Sequence, residues 1–269
     1  MKLKTFAIAC ALAVAIFLFA QRRTVPPEQP LFRSVVDLTH RIDQNPSARE
    51  RPSEASYQMR NVKASTEPDG FARELHLPEH FATHIDAPAE FAAGRWSADQ
   101  IPAERLVRPL VVLDVTAKVS SNPDYRVSVD DIAAWEQANG HIPAGALVMA
   151  YTGWEQRWGS MQRYRNADAD GVMHFPGFTL EATRFLVEGR DVVGLGIDTP
   201  SVDFGPSREF PVHRYSAEHS VYHLENVANL ELVPPVGALV VVSPAKMEGV
   251  AGGPARVLAL LVNAPQERR

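Results

Sequence analysis

The sequence predicts a mixed α/β fold built around a largely buried sheet. Apolar runs at 109–115, 146–151 and 192–197 have the length and the aliphatic content of buried strands. Helix N-cap residues, Ser128 and Thr179, stand between these runs. Strands that alternate with helices are typical of a sheet flanked by helices. Strands dominate the pattern, so the helices are expected to be few.

The first third of the chain predicts strands separated by loops. Residues 34–40 form the first strand, and the polar, proline-containing residues 44–56 form a loop. Strands at 57–65 and 71–77 follow. The run Glu67-Pro-Asp-Gly70 between them is a turn signal.

The rest of the chain alternates between capped helices and buried strands. Gly140 ends the first helix, and Glu181 favours the start of the second. The predicted elements are a strand at 109–115, a helix from Ser128 to about 138, a strand at 146–151, a helix at 180–188, a strand at 192–197, a partly helical region at 214–229, and strands at 237–243 and 257–262.

The N-terminal residues 1–20 have the composition of a targeting segment. Lys2 and Lys4 precede an unbroken apolar run from Phe6 to Ala20, which is short for a membrane span and suits a signal peptide. We therefore expect a periplasmic or secreted protein. An uncleaved N-terminal anchor is the alternative, and it is the one route to membrane association. Residues 21–33 are interpreted as a linker before one domain at 34–263.

Composition narrows the classes of partner. The chain has 269 residues, a net charge of −5 and a pI of about 6.0, so nothing electrostatic favours nucleic-acid binding. Its single cysteine, Cys10, lies inside the N-terminal segment. A mature chain would have no disulfide and no thiolate metal ligand. The expected partner is a small-molecule substrate.

The most informative segment contains His80, His84 and Asp86. Two imidazoles and a carboxylate suit a divalent metal, and a metal with open positions activates water. On a strand all three side chains face one way. On a helix Asp86 would lie about 200° around the axis from His84, and Pro88 also disfavours a helix. The segment predicts an extended metal site, and unrelated polar residues on a solvated strand are the alternative.

This segment resembles the signature of the cyclase family, which includes kynurenine formamidases (arylformamidases) and isatin hydrolases. The family motif H-x-G-T-H-x-D-x-P-x-H corresponds to the run from His80 to Glu90. The resemblance covers roughly residues 34–263. Further similar segments are Asp37-Leu-Thr-His40, Ile101-Pro102 to Asp114-Val115, Thr152-Gly-Trp154, Phe175-Pro-Gly177, Val193 to Thr199, Leu224-Glu225-Asn226 and Pro244 to Gly249.

The resemblance implies a swivelling β/β/α fold and a homodimer or homotetramer. It also implies a metal site formed by His80, His84 and Asp86, holding zinc or manganese. Family members with two metals add a later histidine and a glutamate twelve residues on, with the aspartate as the bridge. His213 and Glu225 have this spacing. With one metal, these two residues would instead support the site or face the substrate.

Two substitutions separate this chain from the family motif. Ala82 replaces the glycine, which would add strain if the position needs a positive φ. Glu90 replaces the final histidine, which family members are thought to use as a proton shuttle. A carboxylate near activated water is also a general base, so we expect Glu90 to be catalytic. Residues 44–56 lack the Trp-Pro-Gly-Asp-like pocket segment of kynurenine formamidases, so standard formylkynurenine is not the expected substrate.

Other residues allow more than one interpretation. Trp96 and Trp154 suit a pocket for a planar substrate, with core or interface packing as the equal alternative. His219 and His223 would share a helix face if 214–229 is helical there. They would then form a second metal pair or, more simply, a surface or partner contact.

Taken together, the sequence predicts a metal-dependent hydrolase of a C–N bond in a small amide or cyclic amide. A lactone or ester remains an alternative substrate, because the same nucleophile attacks either carbonyl. A metal-containing binding protein that lost catalysis with the change at Glu90 is the alternative from another class.

Overall fold

A closed sheet organises the structure. The computed structural model describes residues 31–42, 57–62 and 72–263, and those from Phe32 onward belong to one compact unit. The strands of the described residues are β1 (Phe32–Asp37), β2 (Gln58–Val62), β3 (Ala72–His76), β4 (His84–Asp86), β5 (Val107–Asp114), β6 (Arg126–Val127), β7 (Leu147–Tyr151), β8 (Gly177–Phe178), β9 (Gly194–Ile197), β10 (Tyr222–Glu225), β11 (Ala238–Pro244) and β12 (Gly252–Val262).

The main sheet has the order β1-β12-β11-β5-β7-β9-β10-β4. Strand β12 also pairs with β4, through Gly252–Pro254, which closes seven strands into a ring and leaves β1 outside it. The central strands β5, β7, β9 and β10 run parallel, whereas β4, β11 and β12 pair antiparallel with their neighbours. The closing strand β4 carries two of the predicted metal ligands.

Alternate residues of the strands supply two apolar layers, because successive side chains point to opposite faces. The ring encloses the first layer, which includes Ile85, Leu110, Met149, Leu224 and Val257. The second layer lies outside the ring, under the helices, and includes Val111, Val148, Leu195, Trp135 and Leu186. The sheet is therefore covered on both faces, as the long apolar runs indicated.

The helices begin where the sequence provides caps. Those of the described residues are α1 (Thr116–Val119), α2 (Val129–Asn139), α3 (Met161–Arg165), α4 (Leu180–Arg190) and α5 (Pro211–Glu218). Ser128 accepts a hydrogen bond from the Asp131 amide at the start of α2, and Thr179 accepts one from the Ala182 amide at the start of α4. Gly140 follows α2 with φ 88°, a conformation that favours glycine.

The predicted sheet-rich α/β fold with flanking helices is confirmed, and one region needs correction. Within 214–229, helix α5 ends at Glu218 and Tyr222–Glu225 is strand β10. His219 and His223 therefore share no helix face. The first strand also begins at Phe32, inside the predicted linker 21–33.

Several predictions concern residues that the structure does not describe. The signal peptide or anchor at 1–20, most of the linker, the loop 44–56 and the turn 67–70 lie outside the described residues. In the described part of the chain, no helix is both long enough and apolar enough to cross a membrane. Export, membrane association and the homo-oligomeric state remain predictions.

Candidate metal centre

The pairing of β4 with β10 builds the centre of the site. His84 lies opposite Glu225, and Asp86 lies opposite His223. Side chains directly opposite each other in an antiparallel pair point to the same face and nearly touch. The sheet therefore places four polar side chains from two distant segments on one face, where all four are buried.

His80 reaches the same place through a turn rather than along a strand. Its Nδ1 lies 2.5 Å from Asp86 Oδ1, although β4 begins only at His84. Ala82, between the two histidines, has φ 52°. This left-handed conformation favours glycine, which explains the glycine of the family motif. The expectation of one extended segment through all three ligands is therefore wrong, although the three side chains do converge.

The turn at Ala82 is fixed from the second half of the chain. The Ala82 carbonyl accepts hydrogen bonds from His84 Nδ1 at 2.9 Å and from Asn226 Nδ2 at 2.8 Å. Tyr164 Oη lies 2.9 Å from Asn226 Oδ1 and donates to the Asp198 carbonyl at 2.8 Å. Because the Ala82 carbonyl can only accept, His84 carries its proton on Nδ1 and directs Nε2 into the site.

Helix α5 supplies His213 to the site. Asp203 accepts hydrogen bonds from the backbone amides of Val212 and His213, each at 3.1 Å, and from His213 Nδ1 at 2.7 Å. The same carboxylate therefore caps the helix and sets the orientation of the imidazole. His213 Nε2 is left pointing at the face of β4 and β10.

The polar atoms of four side chains surround one small volume. His84 Nε2 lies 3.1 Å from Asp86 Oδ1 and 3.4 Å from Glu225 Oε2. His213 Nε2 lies 3.0 Å from Glu225 Oε1 and 3.5 Å from Asp86 Oδ2. Ligand atoms about 2.1 Å from a shared zinc ion lie roughly 3.0–3.4 Å from one another. The spacing of these atoms is in the range expected for the ligands of one or two such ions.

Two of these atoms lack hydrogen-bond partners, which also supports a metal site. Asp86 Oδ2 and His213 Nε2 are buried and make no hydrogen bond within the described part of the chain, although each has a polar neighbour within 3.5 Å. Polar atoms that lie close together without forming hydrogen bonds are typical of the ligands around a cation. The imidazole and carboxylate set suits zinc or manganese.

The electrostatics of the cluster also favour a cation. Burial by itself would lower the pKa of His84, but the carboxylates of Asp86 and Glu225 outweigh burial and raise that pKa to about 10. The pKa of His213 is also well above its usual value, because the carboxylates of Asp203, Asp86 and Glu225 outweigh burial. Metal binding would displace protons from both imidazoles.

Glu90 lies at the rim of this cluster. It ends a short 3-10 helix, Pro88–Glu90, directly after β4. Its side chain is 18% exposed, and Oε1 lies 3.4 Å from His80 Nε2. The predicted general base is therefore beside a predicted metal ligand and retains some access to solvent.

The two tryptophans differ in their surroundings. The Trp96 carbonyl accepts a hydrogen bond from the Ala89 amide at 2.9 Å, which ties it to the helix of Glu90, and Arg105 lies over its ring at 5.1 Å. Trp154 is 1% exposed and donates from Nε1 to the Tyr164 carbonyl. Trp154 thus occupies the core, the alternative that the sequence left open, and offers no face to a ligand.

The structure adds residues that the sequence did not assign to the site. Asp203 and Asn226 orient two of the imidazoles, and His223 lies on the cluster's own face. His223 is two residues before Glu225, so the two-residue period of a strand would have linked them. Asp203 gives no local signal, because its role depends on the position of α5.

Comparison with known proteins relates this chain to one family. The family model named Cyclase, described as "Putative cyclase", matches residues 36–204. An isatin hydrolase from Roseibium aggregatum is 34% identical over 196 residues, which cover 70% of this chain and 74% of that protein. A kynurenine formamidase from Salinibacter ruber is 27% identical over 191 residues, covering 71% of this chain and 79% of that protein.

A solved structure supports the same relation. A crystal structure of an isatin hydrolase bound to the product analogue thioisatinate superposes with a TM-score of 0.78 at 30% identity. The match covers 86% of this chain and 93% of that one. The fold described above is therefore shared with that protein over most of both chains.

Proposed function

Because the chain belongs to the cyclase family, we propose that it is a metal-dependent hydrolase that cleaves a C–N bond in a small cyclic or aryl amide. The observation that carries this proposal is the convergence of two histidines, an aspartate and a glutamate at 3.0–3.5 Å spacing in a buried cluster, with His80 at its edge. Most of these side chains can bind a cation, and burying them without a cation would cost folding free energy.

The similarity to isatin hydrolases favours a cyclic amide as the substrate. The match at 34% identity is to an isatin hydrolase, whereas the kynurenine formamidase is 27% identical. Isatin is a planar bicyclic compound with an amide in its five-membered ring. We therefore take isatin as the first substrate to test and an aryl formamide as the second.

The side chains of the cluster would form two binding positions for zinc or manganese. His80, His84 and Asp86 would bind one ion, and Asp86 with His213 and Glu225 would bind a second. When bound, a divalent ion polarises the scissile carbonyl and activates water for attack. Asp203 keeps His213 Nε2 directed at the cluster, because it accepts the proton of the other ring nitrogen.

Glu90 supplies the proton transfers. Its carboxylate would accept a proton from the attacking water, which forms the new C–O bond to the carbonyl carbon. As the C–N bond breaks, Glu90 would return that proton to the leaving nitrogen. The products are a carboxylic acid and an amine, which remain in one molecule if the amide was cyclic. Its position at the partly open rim is compatible with both transfers.

Replacement of the motif histidine by Glu90 favours one alternative, a metal-containing binding protein without catalysis. The two proposals differ in the effect of Glu90→His. A gain of aryl formamide hydrolysis in this variant, with none in the native chain, would favour the binding protein. Hydrolysis of isatin by the native chain would reject it. Hydrolysis of a lactone or an ester would be detected in the substrate panel described next.

The decisive experiment combines elemental analysis with a substrate panel on the purified full chain. We expect bound zinc or manganese and loss of isatin absorbance with time. A chelator should remove both the metal and the activity, and added metal should restore them. Metal removal that leaves activity unchanged would overturn the metal-dependent mechanism. A chain that holds metal but hydrolyses none of the amides, lactones or esters would overturn the hydrolase.

A further inference from the structure

His223 has no role in the proposed set of ligands, yet it lies among them. It is 2% exposed, on β10, directly opposite Asp86. Its ring centroid is 4.7 Å from that of His213, with the rings nearly perpendicular. A buried imidazole beside two predicted metal ligands needs a physical reason.

The hydrogen bonds of Ser216 define which ring nitrogen of His223 carries the proton. Ser216 Oγ lies 2.6 Å from the Val212 carbonyl and 2.5 Å from His223 Nε2. The hydroxyl has one proton, and a carbonyl can only accept. Ser216 therefore donates to Val212 and accepts from Nε2–H of His223. In neutral His223 the lone pair is then on Nδ1.

Nδ1 of His223 is buried and has no hydrogen-bond partner in the part of the chain that the structure describes. The same is true of Asp86 Oδ2 and His213 Nε2. Asp86, His213 and His223 each offer a ligand atom, and these atoms all lie within 4.8 Å of one another. Three buried groups of this kind in one place are expensive to leave unsatisfied and match the needs of a single cation.

We propose that His223 Nδ1 is a ligand of a divalent ion of the zinc type, held together with Asp86 and His213. This assignment rests on the metal centre of the proposed function and adds a ligand to it. Asp86 would serve both sides of the centre, since its Oδ1 faces His80 and His84 while its Oδ2 faces His213. With Glu225, the second ion would then have four protein ligands, the number of a closed tetrahedral site.

The test measures metal binding rather than turnover. The full chain, stripped of metal, is titrated with Zn²⁺ against a chromophoric chelator. Wild type should bind two ions, and His223→Gln should weaken one of them by about 100-fold or more, beyond the loss typical of a supporting residue. His219→Gln is the matched control. His219 is exposed and its Nδ1 lies 2.7 Å from the Tyr215 carbonyl, so this variant should bind both ions normally.

A second measurement on the wild-type chain identifies the ligand atom directly. With ¹⁵N-labelled histidine, Zn²⁺ should shift the Nδ1 resonance of His223 and leave Nε2 protonated. This result does not depend on whether a His223 variant folds. Unchanged zinc affinity in folded His223→Gln, or a stationary Nδ1 resonance at saturating zinc, would overturn the assignment.

The failure of this assignment is distinguishable from failure of the proposed function. If His223 is not a ligand, the chain still hydrolyses its amide and the ions held by the other residues remain. If the chain is not a hydrolase, the zinc titration and the Nδ1 resonance still report whether His223 binds metal.

Discussion

The candidate metal centre has an inner half and an outer half, which differ in what holds their side chains in place. The inner half is at most 1% exposed and is fixed by strand pairing or by a capped helix; it consists of His84, Asp86, His213 and Glu225. His80 and Glu90 belong to short segments on either side of β4, and their side chains are 24% and 18% exposed. The inner half has the burial needed to hold an ion, whereas the outer half has the solvent access needed for proton transfer. We therefore expect inner substitutions to change metal binding and outer ones to change turnover.

The largest effect is expected for His84→Ala, in the inner half. This change removes a nitrogen that lies within 3.4 Å of two carboxylates, so like charges would face each other without it. We expect loss of bound metal and a fall in kcat/KM of about 1,000-fold or more. Elemental analysis and initial rates check this. Full metal content together with full activity would contradict the role of His84.

Glu90→Gln, in the outer half, should lower turnover without changing metal binding. The amide keeps the size of the side chain but cannot take a proton, so kcat should fall by about 100-fold or more. Bound metal should remain at the wild-type level, because Glu90 is outside the buried set. Rates over a pH series and metal analysis of the same preparation provide the check. A parallel loss of metal would mean that Glu90 is a ligand and not a base.

Asp203→Asn tests whether the hydrogen bonds that orient His213 contribute to metal affinity. Asp203 caps α5 and accepts from His213 Nδ1. An amide there weakens both interactions, and we expect metal affinity to fall by roughly 10–100-fold. Competition with a chelator measures the affinity, and a thermal melt of the metal-free variant reports the loss of the cap. Unchanged affinity would show that α5 fixes His213 without this carboxylate.

The smallest effect concerns Glu155, a half-buried acid with acidic neighbours instead of imidazoles. Burial, with Glu231 and Asp198 nearby, raises its pKa to about 9, above an unfolded value near 4.5. The folded state thus binds the extra proton, and stability should fall as pH rises from about 4.5 towards 9. Glu155→Gln should remove this loss.

We compare the free energy of unfolding of Glu155→Gln with that of wild type. The advantage of the variant should be about 1 kcal/mol larger at pH 8 than at pH 5, a value reduced for partial exposure. Denaturant unfolding at the two pH values measures it. An equal difference in unfolding free energy between the variant and wild type at both pH values would show that Glu155 titrates normally.

Local pattern was sufficient for much of this molecule. The buried strand runs and the Ser128 and Thr179 caps predicted elements that the structure contains, because each depends on a few adjacent residues. The candidate metal segment was also recognisable locally, since three predicted ligands lie within seven positions. His213 and Glu225 entered through the family resemblance and not through any local signal.

Tertiary structure decided what depends on pairing between distant segments. Tyr222–Glu225 is a strand because it lies between β4 and β9, although the sequence predicted this region as partly helical. This pairing places His223 in the buried cluster. Asp203 acts on His213 only because α5 starts beside it. Trp154, whose two alternatives looked equal in sequence, is buried by packing under the helices. The sequence by itself determined the local elements and the chemistry available, while closure of the sheet decided which side chains meet, because contact between distant residues requires the whole ring to form.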